Sequence, residues 1–157
     1  MKRRVGLVVV GQVVTVVDAH VPDDKEVPIE VIMDATWNLQ TGERPPAFAV
    51  LHQRCVDYLT EHKIGSVVVK ASALTTGPAK LALLESAEVR GVVMAASATA
   101  GCSVEVLSKQ TVSRTYGDRK VDEYLKDDAF WNDRAAGQKL RKTSREAAML
   151  LIAARSR

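Results

Sequence analysis

A chain of 157 residues with 46% hydrophobic residues is long enough to bury one ordinary core, so neither disulfides nor a structural metal is needed to hold it. No stretch reaches the ~18 uninterrupted apolar residues of a membrane span, and the apolar run after Lys2 lacks the cleavage-site pattern of a secretion signal. The net charge is only +3, and we expect one domain over residues 1–157, in the cytoplasm and without membrane contact.

The charge is unevenly distributed along the chain. The segment 134–157 holds seven basic residues against the single acid Glu146: Arg134, Lys139, Arg141, Lys142, Arg145, Arg155 and Arg157. A solvated helix face explains such a run, and so does a surface that faces phosphates, because clustered cations neutralise a nucleic-acid backbone. Both interpretations stay open.

The two cysteines, Cys55 and Cys102, stand in apolar surroundings without CxxC or His-paired spacing. This predicts reduced, buried thiols, which fits a reducing cytoplasm.

The first third of the sequence predicts three meandering strands. Val5–Val10 and Val13–Val17 are rich in β-branched residues, and Gly11-Gln12 between them has the length of a hairpin turn. Ile29–Trp37 alternates apolar and polar residues, which is typical of a third strand with one better-buried face.

Helices and strands then alternate. A helix over 45–62 and a short apolar strand over 66–69 are followed by a helix over 78–99 that is apolar on all sides, so we expect it to be covered on most sides. The remaining predicted elements are a strand over 103–107, a short helix or turn over 109–116, a surface helix or loop with aromatic anchors over 118–132, and a final helix over 144–155 that Ser144 caps.

The element order β-β-β-α-β-α-β-α is similar to that of the RNase H-like fold, as found in the RuvC-type Holliday-junction resolvase superfamily and in small bacterial proteins of the same fold. The segments that carry the resemblance are Val5–Val8, Ser66–Lys70, Val104–Gly117, Arg145–Ala153 and the helix start Gly77-Pro78. The resemblance implies an α/β fold with a mixed five-stranded sheet and helices on both faces.

Active members of that superfamily bring carboxylates from the first strand, the fourth strand and the last helix onto Mg²⁺ ions, which hold the attacking and leaving oxygens. The resemblance places Val8, Lys70 and Glu146 at these positions, with Arg145 beside Glu146. A cation at Lys70 would repel a metal ion. We therefore expect no catalytic residue, no metal site and no cofactor.

An alternative hypothesis is that the chain is a divergent metal-dependent nuclease. Asp18 and Asp34 stand near the predicted ends of the second and third strands, where a meander would make them neighbours, and with Glu146 they would form an unfamiliar Mg²⁺ site.

The loop 71–80 follows a strand and precedes a helix, a context that attracts phosphate, although its single glycine does not give the P-loop spacing. Thr76 as helix cap and Pro78 in the first turn explain the same residues without a ligand. Lys70, Lys80 and the hydroxyls of Thr75 and Thr76 would nevertheless surround the former catalytic cleft.

The favoured hypothesis is a catalytically inactive module that binds a DNA or RNA backbone and assembles as a homodimer or with a partner protein, because the apolar second helix needs more cover than one chain provides. A purely structural scaffold is the third hypothesis. The predicted nucleic-acid contacts are Lys70, Lys80, Arg134, Lys139, Arg141, Lys142 and Arg145.

Overall fold

A computed structural model describes residues 2–73, 76–78, 80–117 and 119–157. The strands are β1 (Lys2–Val10), β2 (Val13–Val21), β3 (Ile29–Asn38), β4 (Ser66–Lys70), β5 (Ser103–Leu107) and β6 (Ala135–Gly137). The helices are α1 (Arg44–Glu61), α2 (Leu81–Thr99), α3 (Lys109–Ser113), α4 (Val121–Leu125), α5 (Asp128–Arg134) and α6 (Arg145–Arg155), and a 3₁₀ turn, Lys142–Ser144, leads into α6.

The strands form one mixed sheet in the order β5-β4-β1-β2-β3-β6. β1, β2 and β3 are antiparallel neighbours, and the β1–β2 hairpin turns at Gly11, whose φ of 59° lies in the left-handed region that glycine favours. β4 runs parallel to β1, and β5 parallel to β4. The predicted α/β fold and all five predicted strands are confirmed, and the sheet gains a sixth strand, β6, parallel to β3.

Helices cover both faces of the sheet, as predicted. On one face α1 and α2 bury Leu51, Cys55 and Val93 against β1 and its neighbours. On the other face α6 is buried along most of its length, together with the aromatic side chains of α4 and α5. Both cysteines are free and buried, as predicted, and burial raises the pKa of Cys55 to about 11.

Gly6 is a point of close approach between α6 and β1. A Cβ atom at this position would overlap the backbone carbonyl of Ala147 in α6. Glycine in the middle of β1 therefore lets the last helix lie directly on the sheet, which sets the position of the residues in its first turn.

The second long helix differs from its prediction. It begins at Leu81 with Lys80 at the N-cap, so Thr76 does not cap it and Pro78 precedes it. Leu81 and Leu84 are 69% and 54% exposed, so the prediction that this helix is covered on most sides is wrong within one chain. Among the described residues, no helix is long and apolar enough to cross a membrane.

Candidate functional site

The carboxyl ends of β1 and β4 meet at one edge of the sheet, and the first turn of α6 lies against that edge. Leu7 pairs with Val69, and Val8 and Lys70 are the next residues of these two strands. Val8 is 6% exposed and packs in the core with α6. The Lys70 ammonium forms an ion pair with the carboxylate of Glu146. The structure thus brings together the three residues that the resemblance assigned to the catalytic positions.

A second cation reaches this edge from α2. Arg90 donates from Nε to the carbonyl of Lys70 (3.0 Å), from Nη2 to the carbonyl of Val9 (3.1 Å) and from Nη1 to Ser72 Oγ (2.6 Å). Burial lowers the pKa of Arg90 from its ordinary value. The arginine ties the ends of β1 and β4 together. Sequence reasoning missed it, although Arg90 is the single basic residue of α2, which was the available signal.

The described residues around Lys70 and Glu146 do not fit a divalent cation. The space between them is about 10 Å³ and is otherwise lined by Lys109, Val112, Val121 and Leu150. Mg²⁺ requires several oxygen ligands, but Glu146 is engaged by Lys70. In the part of the chain that the structure describes, no three His, Cys, Asp or Glu side chains are grouped so that they could hold a metal.

Asp18 is fully buried on the face of the sheet that α1 covers. It accepts hydrogen bonds from Arg3 Nε (3.0 Å) and Nη2 (2.7 Å) and from the Tyr58 hydroxyl (2.6 Å). Burial, followed by the contact with Asp18, raises the pKa of Tyr58, so the phenol stays protonated and donates. Asp18 is therefore a buried carboxylate that is ion-paired with Arg3 and hydrogen-bonded by Tyr58.

Asp34 faces the opposite side of the sheet, towards the start of α6. It accepts hydrogen bonds from the backbone amide of Arg141 (2.8 Å), the guanidinium of Arg141 (2.7 Å) and the Ser144 hydroxyl. Burial works against its charged form, but the hydrogen bonds from Arg141 and Ser144 outweigh this and hold the pKa of Asp34 below its ordinary value. Ser144 stands at the N-cap of α6 as predicted, although its hydroxyl binds Asp34 instead of the helix amides.

The expectation that Asp18 and Asp34 are neighbours near strand ends is wrong. The register pairs Asp18 with Met33 and Val17 with Asp34, and both aspartates lie inside their strands. Because successive side chains of a strand point to opposite faces, the two carboxylates lie on opposite sides of the sheet. They cannot share one metal ion.

The three arginines among the predicted nucleic-acid contacts have structural partners. Arg145 is buried and donates to Asp128 (2.7 Å) and to the carbonyl of Leu125 (3.0 Å). Arg134 donates to the carbonyl of Lys25 (3.0 Å), and Arg141 binds Asp34. The guanidinium groups of these arginines are therefore engaged in contacts within the fold.

The other predicted contacts differ in their availability. Lys80, Lys139 and Lys142 are exposed and form no direct ion pair with a carboxylate of the described residues, although Lys142 lies near enough to Asp128 to lower the pKa of that carboxyl. Lys70 is half-buried against Glu146. Thr75, predicted to lie by the cleft, falls outside the described residues.

The sheet order, with helices on both faces and α6 lying across β1, defines the RNase H-like fold of the RuvC type. No protein-family profile and no curated protein matches the sequence. The chain is similar in structure to Thermus thermophilus RuvC, with a TM-score of 0.72 at 13% identity over 96% of this chain and 92% of that one.

Two further solved structures are similar. T. thermophilus RuvC in complex with a Holliday junction substrate gives a TM-score of 0.70 at 12% identity over 98% of this chain and 92% of that one. The yeast mitochondrial Holliday junction resolvase Ydc2 gives 0.66 at 13% identity over 99% of this chain and 78% of that one. The fold that the sequence resemblance implied is confirmed.

Proposed function

We propose that this chain is a pseudo-nuclease, an RNase H-like module that binds a nucleic-acid backbone without cleaving it. The observation that carries the proposal is the Lys70–Glu146 ion pair at the edge where β1, β4 and α6 meet. Metal-dependent phosphodiester cleavage needs several carboxylates at one point to hold its cations. Here Val8 supplies no ligand, Lys70 supplies a positive charge, and that charge engages Glu146.

The charge at this edge favours a phosphate over a metal ion. Lys70 and the guanidinium of Arg90 place two cations behind the ends of β1 and β4, against the single carboxylate of Glu146. Cations and backbone donors position a nucleic-acid backbone without reading its sequence. The similarity to RuvC, which was solved with a Holliday junction substrate, supports a nucleic acid as the partner.

The exposed lysines are the best candidates for phosphate contacts. Lys80, Lys139 and Lys142 offer ammonium groups that no direct ion pair within the described residues occupies. Arg134, Arg141 and Arg145 contribute to the local potential, but their hydrogen bonds hold loops and α6 in place. Lys70 can contact a phosphate only when its ion pair with Glu146 is broken.

Self-association completes the proposal. Leu81 and Leu84 are exposed at the start of α2, and a groove of about 740 Å³ between α1 and α2 is lined by Phe48, Val92 and Ala95 together with the polar side chains of His52, Gln53 and Glu88. An unpartnered apolar surface of this kind favours a second copy of the chain, which would present two basic surfaces to one nucleic acid.

The test combines binding and cleavage on the same substrates. The full chain is titrated into labelled single-stranded, duplex and four-way DNA and into RNA at low salt, and each mixture is then incubated with Mg²⁺ or Mn²⁺. We expect binding without cleavage. Cleavage that is lost in Glu146→Gln would establish the alternative, a divergent nuclease, and absence of binding to every substrate would leave a protein scaffold.

The activity variants need a folding control. The side chains of Asp18 and Asp34 are buried and form ion pairs with Arg3 and Arg141, so activity lost on their substitution identifies a metal ligand only when the variant keeps its circular dichroism spectrum and unfolding midpoint. Glu146→Gln is the cleaner variant, since Glu146 is half-buried at the surface.

A further inference from the structure

The amino ends of the parallel strands β1, β4 and β5 form a second basic site, at the opposite end of the sheet from the Lys70–Glu146 pair. A depression of about 410 Å³ lies there, and its side chains come from Lys2, Arg3, Arg4, Lys63, Ser66 and Ser103. Val8 is six positions after Lys2 in β1, which is roughly 20 Å at the rise of a strand. The two basic sites are therefore distinct.

Three hydrogen-bond donors stand in a row across this end of the sheet. Arg4 pairs with Ser66, and Ser66 pairs with Ser103. Residues paired across parallel strands point to the same face, so the guanidinium and the two hydroxyls project to one side. The Ser103 hydroxyl donates to the carbonyl of Gly65 (3.3 Å), so an anion placed over this row meets the donors of Arg4 and Ser66 first.

The charge of the depression is not balanced within the described chain. Arg3 is held by Asp18, but Lys2, Arg4 and Lys63 form no ion pair with a described carboxylate. Arg4 Nε is buried without a hydrogen-bond partner, so the described chain does not hold the guanidinium through that atom. Of the described residues that line the depression, none is acidic and none is aromatic.

Lys63 has a backbone conformation that is unfavourable for a residue with a side chain. It follows the C-cap of α1 with a φ of 54°, a left-handed conformation that glycine adopts most easily. A side chain in this region is uncommon, and such outliers cluster where a residue has a function. Here the residue that adopts this conformation is one of those that line the depression.

We propose that this depression binds a phosphate or pyrophosphate group, either free or as the terminal phosphate of a nucleotide. Arginine and lysine beside hydroxyl donors are the groups that bind phosphate oxygens in proteins. Because no aromatic side chain lines the described site, we expect it to recognise the phosphate and not a base. The inference goes beyond the proposed function, because the site shares no residue with the proposed nucleic-acid contacts.

The test is calorimetric titration of the full chain with inorganic pyrophosphate. In the double variant Arg4→Gln/Lys63→Gly the affinity is expected to fall about tenfold or more, since two charged donors are lost. The control Lys25→Gln/Lys126→Gln removes the same charge from exposed positions that neither proposed site uses, and it keeps the affinity within about twofold of the wild type. Lys63→Gly alone tests the site without risk to folding, because glycine suits the backbone there.

Two further titrations identify the source of the phosphate. Equal affinity for pyrophosphate and for nucleoside diphosphates with a purine or a pyrimidine supports a site that reads phosphate alone. A preference for a 5′-phosphorylated over a 5′-hydroxyl oligonucleotide, lost in the double variant, assigns the phosphate to a nucleic-acid end. The proposal is overturned by absence of pyrophosphate binding to the wild type, or by equal weakening in the control. Neither result bears on oligonucleotide binding through Lys80 and Lys139, so the two proposals fail separately.

Discussion

Asp18 is a buried carboxylate whose charge is balanced by an ion pair with Arg3. Its partners Arg3 and Tyr58 come from β1 and α1, so the contact joins the sheet to the helix that covers it. Removing one partner of a buried ion pair leaves the other without compensation, and we expect Asp18→Asn to lower the free energy of unfolding by about 3 kcal/mol. Urea denaturation measures the change.

The matched control for this substitution is Asp23→Asn, in the exposed segment between β2 and β3. A surface carboxylate without such partners should change the free energy of unfolding by no more than about 0.5 kcal/mol. Equal effects of the two substitutions would show that the Arg3–Asp18 contact does not stabilise the fold.

Asp34 makes the free energy of unfolding depend on pH in the acidic range. Its pKa is lower in the folded chain than in the unfolded chain, so the unfolded chain binds more protons and stability falls as the pH drops through and below about 4. We expect Asp34→Asn to be less stable than the wild type at neutral pH by about 1–3 kcal/mol. The difference should shrink from about pH 4 downwards, as denaturation at a series of pH values measures. A difference independent of pH would contradict the contribution of the Asp34 charge.

The family resemblance allowed Val8, Lys70 and Glu146 to be placed together, because each has a definite position in one of the strongly patterned elements β1, β4 and α6. The sequence could not place Asp18 and Asp34, because the face of a side chain depends on strand register. β3 carries an irregularity beside Asp18 and Ala19, and local composition does not show it.

The contact between β1 and α6 depends on one glycine. Because a Cβ at Gly6 overlaps the carbonyl of Ala147, Gly6→Ala must push α6 away from the sheet, and we expect it to lower the free energy of unfolding by about 2 kcal/mol or more. Gly91→Ala is the control within α2, where no atom lies within 4 Å of the added Cβ. This control should raise stability by about 0.5–1 kcal/mol, so the same chemical change has opposite signs at the two sites.

The limits of prediction at the level of elements have physical causes. The β-branched runs of β1, β2 and β4 predict strands because such residues fit a pleated surface and little else. β6 has only Ala135, Ala136 and Gly137, which carry no strand preference, and it exists because the chain passes beside the edge of β3. The start of α2 was misplaced because Thr76 and Pro78 look like a cap and a first turn, while the helix begins at Leu81.

The exposed apolar surface of α2 predicts a dimer. Analytical ultracentrifugation at micromolar concentration should give a mass of two chains, because covering Leu81 and Leu84 and the apolar residues of the α1–α2 groove removes apolar surface from water. Leu81→Glu/Leu84→Glu should give a mass of one chain with an unchanged circular dichroism spectrum. A wild-type mass of one chain would contradict the dimer.

The last prediction concerns the salt dependence of nucleic-acid binding, which separates lysines that contact phosphate from arginines that hold the fold. Each phosphate contact contributes about −0.9 to the slope of log affinity against log salt on duplex DNA, so Lys139→Gln/Lys142→Gln should flatten the slope by about two units if both lysines touch phosphate. Arg141→Gln removes an equally exposed charge from the same segment, but the Arg141 guanidinium binds Asp34. This variant should therefore lose stability and keep most of the slope. The reverse result, a flatter slope for Arg141→Gln and none for the lysine variant, would mean that the Arg141–Asp34 contact opens when nucleic acid binds.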